Sequence, residues 1–129
     1  MPYDSVVCVK QVPDTANVTG DAMKEDGTVN RGALPAIFNP EDLHALEAAL
    51  AVGALIEEMD IADLRSRAAT TDVADIDALY AQLERASRNH LRAFTSQLDT
   101  RGIEYRPTEL DRAAYDAIVS SETERGRDG

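Results

Sequence analysis

Two residues sit where their chemistry conflicts with their surroundings. Glu57 falls on the stripe Leu50, Ala54, Glu57, Ile61, Leu64, which is otherwise apolar and repeats at helical spacing. A carboxylate in such a stripe must reach the stripe's end, find a partner or bind a cation, because burying it bare is costly. His90 occupies a second periodic segment, between Ala86 and Phe94. It reads either as a hydrogen-bonded core histidine or as a metal ligand. Asp60 lies one turn beyond Glu57, with Glu58 and Asp63 nearby. Some of these acids simply solvate a helix, and Glu57 itself also reads as a helix-surface acid.

Helices must position these groups. Asn39-Pro40-Glu41-Asp42 is a helix start: Asn caps, Pro fits the first position, and two acids complement the positive helix end. Residues 43–69 hold no proline and one glycine, Gly53. They can run as one helix of roughly 45 Å, with Gly53 a point of kinking. Thr70-Thr71-Asp72 breaks the run and can cap a second helix, which continues to Arg101 until Gly102 stops it. Its apolar positions, Ile76, Leu79, Leu83, Ala86, His90, Phe94 and Gln97/Leu98, alternate by three and four as a bundle seam. Two such rods joined by a tight turn make an antiparallel hairpin. Pro107-Thr108 then starts a short third helix with Leu110, Ala114, Ile118 and Tyr115 inward. Arg85, Arg88 and Arg92 line one side of the second helix and are expected to pair with acids on the first. His44 reads as a surface residue. From Glu122 the sequence ETERGRDG is expected to be a disordered tail.

Before the helices, SVVCVKQV at 5–12 has the pattern of a strand buried on both faces, as in a parallel sheet, ended by Pro13 and Asp14. Residues 16–31 read as a small hairpin about a two-residue Asp26-Gly27 turn. Aromatics make up 5% of the 129 residues and Trp is absent, so an aliphatic core of helices on helices is expected. The net charge of −11 argues against nucleic acid and anionic membranes as partners. Cys8 is the single cysteine, which excludes an intramolecular disulfide. The sequence contains no signal-peptide pattern and no apolar run of ~20 residues, so a cytoplasmic location is expected. Zinc-type Cys/His spacing, a glycine-rich phosphate loop and a Ser/His/Asp arrangement are all missing.

Two resemblances follow from longer motifs. VVCVKQVPDT at 6–15, DGTVNRG at 26–32 and AIFNPEDLHALEAAL at 36–50 resemble the N-terminus of the electron-transfer flavoprotein β subunit. That family binds AMP and helps an α subunit hold FAD. The resemblance assigns AMP-contacting positions to Cys8, Asn39, Pro40, Glu41 and Asp42, where a strand end and a helix N-terminus would flank a nucleotide. Glu41 and Asp42 are acidic, so only their backbone suits a phosphate, and the family's later glycine- and serine-containing segment is absent. Strand core plus helix cap is therefore the preferred role of these residues over AMP binding. FAD is not expected without a partner.

GALIEEMDIADL at 53–64, ERASRNHLRAF at 84–94 and GIEYRPTELDRAAYDAI at 102–118 resemble the C-terminal half of a ferritin-like family, domain of unknown function 2202. That resemblance implies a di-metal carboxylate four-helix bundle of which only the last two long helices are present, the flavoprotein-like part standing in place of the first two. The two resemblances meet at residues 45–52. Such bundles take one Glu from each of two helices and a Glu-x-x-His pair from each of the others. Here Ser87 stands where the Glu of the pair would be. The implied partial site is Glu57, Asp60 and His90, for iron or manganese. A two-fold homodimer of hairpins would double Glu57 and His90 and close the seam.

The expected fold is mainly α: a long antiparallel helical hairpin, half of a ferritin-like four-helix bundle, with a short third helix and a small β segment before it. The expected parts are residues 1–38, 39–121 and a tail at 122–129. Three functions are carried forward: a ferritin-like protein with a partial divalent-metal site completed by dimerisation, an AMP-binding or electron-transfer accessory fragment, and a fused reading frame without activity. No catalytic residue is assigned, and the reading leans away from an enzyme.

Overall fold

A computed structural model describes residues 6–14 and 16–126, so the first residue of the expected strand, Ser5, lies outside it. In chain order the elements are strand β1 (Gln11–Pro13), strand β2 (Ala36–Phe38), and helices α1 (Pro40–Ala68), α2 (Ala74–Thr100) and α3 (Arg112–Val119). Short 3₁₀ turns lie at Gly20–Ala22 and Arg31–Ala33. The described residues divide into two compact units, one ending at Glu47 and one beginning at Ala48, so the division falls inside α1.

The first unit corrects the expected strand. Only Gln11–Pro13 is extended and paired, and it pairs antiparallel with β2 in the register Gln11↔Phe38, Val12↔Ile37, Pro13↔Ala36. Among the described residues no helix or second sheet layer covers the pair: Phe38 is 62% exposed and Ile37 38%. The β-branched run of residues 5–12 carries the propensity of a buried parallel strand, but a parallel strand needs neighbours on both edges and this unit supplies one. Pro13 is tolerated because a strand with a free edge can spare its missing N–H.

The Asp26-Gly27 turn is present but longer than expected. Lys24 donates its N–H to the Thr28 carbonyl, and Gly27 donates to the Lys24 carbonyl. Glu25-Asp26-Gly27 thus form a three-residue loop ending in Gly27 at φ +81°, and one bridge follows at Met23↔Val29. Asp26 holds the turn by accepting from both the Thr28 N–H and its hydroxyl.

α1 begins where its residues direct. The Asn39 side chain accepts from the Glu41 N–H at 3.3 Å, and the Asn39 carbonyl accepts from Asp42. α2 does not use the expected cap. Its N-cap is Val73, without a side-chain hydrogen bond, and Thr71 Oγ1 accepts from the Val73 N–H instead of Asp72 capping the helix. The end of α2 follows its sequence: Gly102 takes φ +74°, donating to Asp99 while Ile103 donates to Leu98. That pair of bonds is a Schellman stop. α3 starts later than Pro107-Thr108, at Arg112, because the Asp111 carboxylate caps it by accepting from Ala114 at 2.9 Å.

In the second unit α1 and α2 run antiparallel, as the cross-helix pairs Gly53 with Phe94, Glu57 with His90 and Arg65 with Glu84 require. The core is Ala54, Ile61, Leu91, Leu110, Tyr115 and Ile118. Ile61, Leu91 and Leu98 are fully buried, worth roughly 2 kcal/mol each in transfer free energy.

On α2 the buried residues are Ser87, Leu91, Thr95 and Leu98; of the expected row Leu98 is buried and Phe94 packs against the core, whereas Ala86 and His90 are exposed. Ile76, Leu79 and Leu83 are 40%, 52% and 46% exposed. Leu91 instead joins the core with Leu110, Tyr115 and Ile118, from α3 and the segment before it. Thr95 is buried without cost because its hydroxyl donates to the Leu91 carbonyl.

Candidate functional site

α1 and α2 bring Glu57 and His90 together. Glu57 Oε1 lies 3.1 Å from His90 Nδ1. The Glu57 side chain is 10% exposed and the His90 side chain 61%, so the pair spans the lip of the hairpin from inside to outside. His90 is therefore not the seam residue expected between Ala86 and Phe94. It sits at the rim and reaches inward with one nitrogen. An ionised carboxylate only accepts, so the proton between the two belongs to Nδ1. In the neutral ring this leaves Nε2 as the nitrogen with a lone pair, on a side chain that is mostly exposed.

Asp60 is half-buried. Among the described residues no group of three or more His, Cys, Asp or Glu side chains is gathered closely enough to hold a metal ion. Ser87, at the position where the ferritin-like pattern carries Glu, is buried at 7% exposure.

The neighbouring Glu58 has a role that its sequence position did not disclose. It is wholly buried. Its Oε2 accepts from the Tyr105 hydroxyl at 2.7 Å and the Thr108 N–H at 3.1 Å, and its Oε1 accepts from the Leu110 N–H at 3.1 Å. Three donors replace the water this carboxylate lost, and the Tyr105–Leu110 segment is thereby tied to α1. Burial first, and then the hydrogen bond to Glu58, push the Tyr105 hydroxyl well above its ordinary range, so it remains a donor. The available sequence signal was the doublet Glu57-Glu58 at the border of an apolar stripe; the partners, some fifty residues away, left no local trace.

The arginines of α2 also differ from expectation. Arg88 pairs with Glu84 and with Glu124, and Arg92 pairs with Glu124; neither uses an acid of α1. The helix-to-helix ion pair has the opposite polarity, Arg65 of α1 to Glu84 of α2 at 2.9 Å. Among the described residues no buried side-chain polar atom lacks a partner.

In the first unit, two of the nucleotide positions suggested by resemblance, Asn39 and Asp42, bond to the backbone of Lys10. Asn39 donates its N–H to the Lys10 carbonyl, and the Asp42 carboxylate accepts from the Lys10 N–H, both at 2.8 Å. The strand end and the helix start therefore do meet, but Asn39 holds the Glu41 and Asp42 amides. Pro40 has no N–H, and it and Glu41 are exposed. Cys8 is exposed. His44 is exposed and contacts Glu47 at 3.3 Å.

Comparison with known proteins gives a mixed similarity. The family described as "Uncharacterized protein domain (DUF2202)" matches residues 10–122, a span that begins well ahead of the junction expected at 45–52. The uncharacterized protein MJ0754 of Methanocaldococcus jannaschii is 47% identical over 78 residues, covering 60% of this chain and 42% of that protein. The crystal structure of hypothetical protein MJ0754 from Methanococcus jannaschii matches with a TM-score of 0.59 at 37% identity, over 68% of this chain and 57% of that one. A 47-residue stretch is 62% identical to the electron transfer flavoprotein subunit beta of Megasphaera elsdenii, covering 36% of this chain and 17% of that protein. The chain spans less than half the length of these curated relatives. A family match over most of the chain, with the helical hairpin at its centre, decides the affiliation: this protein belongs to the DUF2202 family.

Proposed function

We propose that this chain supplies half of a ferritin-like bundle and half of a divalent-metal centre of the iron or manganese type, the rest coming from a second copy. The Glu57–His90 pair carries the reading: a carboxylate and an imidazole, one from each long helix, held 3.1 Å apart at the lip of the hairpin. Glu57 fixes the ring through Nδ1 and leaves Nε2 free to ligate, as carboxylates do beside metal-bound histidines. Two donors are too few for such an ion, which takes four or more. A two-fold axis beside the pair would supply two imidazoles and two carboxylates, with Asp60 on the same helix as a further oxygen donor. The exposed row Ile76, Leu79 and Leu83 shares the face of α2 that carries His90, and covering it favours the same association.

The test is metal analysis of the purified protein together with its mass by size-exclusion chromatography and light scattering. A dimer carrying iron or manganese is expected, with Glu57→Ala and His90→Ala each losing the metal while retaining helical circular dichroism. A metal-free monomer at micromolar concentration after reconstitution with either ion would overturn the reading.

A further inference from the structure

The tail expected to be disordered begins at Glu122, yet Ser121 and Glu124 are docked by a set of polar contacts. The Glu124 carboxylate accepts from Arg88 Nε at 2.7 Å and Nη2 at 2.5 Å, and from Arg92 Nη2 at 2.8 Å. Asn89, between the two arginines, reads the backbone of the same residue. Its Oδ1 accepts from the Glu124 N–H, and its Nδ2 donates to the Glu124 carbonyl, both at 2.9 Å. Arg92 also donates to Ser121 Oγ at 2.7 Å. Side chain and both backbone groups of one glutamate are thus recognised by three residues within one and a half turns of α2.

Apolar burial adds almost nothing, since residues 120–123 and 125–126 are exposed and Glu124 is only half-buried. The cradle has braces besides the tail. Arg88 is braced by Glu84, which also holds Arg65, and Arg92 is braced by Asn89 Oδ1 and by the Ile118 carbonyl. An occupant held by polar contacts alone gains little over its hydrogen bonds to water, so it can be exchanged.

We infer that Arg88, Asn89 and Arg92 form a binding site for an extended peptide segment bearing a glutamate, occupied in cis by residues 121–124, so that the tail is a displaceable latch. The bidentate arginine fork selects a carboxylate, and the asparagine selects an extended backbone with both its N–H and C=O free. The tail wins over a free peptide because tethering gives it a high effective concentration.

The test uses the full-length chain, isotopically labelled, as wild type and as Glu124→Ala. The variant should lose order at residues 122–126, read as a fall in the heteronuclear NOE, with unchanged helical circular dichroism. Addition of the capped peptide SSETERG, the sequence of residues 120–126, should shift the Arg88 and Arg92 Nε and Asn89 Nδ2 signals of the variant. Wild type should respond at least about tenfold more weakly, and the same peptide carrying Glu124→Gln should also bind about tenfold more weakly. Glu124→Gln in the chain gives the same readouts should the alanine variant lose helix. A tail that stays ordered without its carboxylate would overturn the inference. So would arginine signals in the variant that the peptide leaves unmoved at millimolar concentration.

Discussion

Glu57 and Glu58 are adjacent in the chain and chemically opposite. Glu57 meets one imidazole at the lip, whereas Glu58 is wholly buried among three donors. Removing Glu58 strands those donors. Glu58→Ala should cost about 3 kcal/mol in urea unfolding, and Glu58→Gln, which turns an amide NH₂ toward a donor, about half of that. Faster amide exchange at Thr108 and Leu110 would locate the loss; unchanged exchange there would contradict it. Glu124 gives a pH prediction. Its hydrogen bonds and charges from Arg88 and Arg92 hold its carboxyl down at about 2, against an ordinary 4.5. A depressed carboxyl stabilises the docked tail fully above the ordinary value, and that contribution is lost as pH falls from 4.5 through about 2. The heteronuclear NOE of residues 122–126 should therefore be flat from pH 7 to about 5 and drop only in stronger acid; release near pH 6 would refute this.

At the scale of the element, the close approach of α1 to α2 depends on Gly53. A Cβ there would stand 2.8 Å from the Phe94 ring, so the ring must shift before any side chain fits. Gly53→Ala by itself gains about 1 kcal/mol of helix propensity. In the wild-type hairpin the displaced ring should cancel most of that gain, while in a Phe94→Ala background the gain should appear in full. A double-mutant cycle should therefore return a coupling of about 1 kcal/mol, and strict additivity would show that the ring yields freely. Gly102 tests the other end of α2. Its φ of +74° has open space around it, so Gly102→Ala should cost about 1 kcal/mol through backbone conformation and not through collision.

For the whole molecule, the two units should differ in protection. Among the described residues the first holds a three-residue strand pair, one isolated bridge and Ala22 as its buried apolar residue. The second buries the aliphatic and tyrosine core on long helices. Hydrogen exchange should open residues 11–38 through small local fluctuations and release the amides of Leu91–Leu98 only on global unfolding. Equal protection of the two would mean that the first unit has a stabilising partner. Among the described residues no helix is long and apolar enough to cross a membrane.

The sequence by itself determined the two long helices, the start of α1 and the end of α2, but not the caps that begin α2 and α3. Asn39-Pro40 starts α1, the Arg101-Gly102 step ends α2, and the proline-free runs between them have no alternative to helix, because these signals act within a turn of where they are written. It placed Glu57 on an otherwise apolar stripe but left it open to a surface role, and the fold buried it. Tertiary structure decided the rest. Which row of α2 is buried, whether a strand finds one neighbour or two, and what lies against Glu58, Arg88 and Arg92 all depend on segments some thirty to fifty residues away. Those pairings are set by which surfaces the folded chain brings together. A residue's own sequence neighbours carry no record of them.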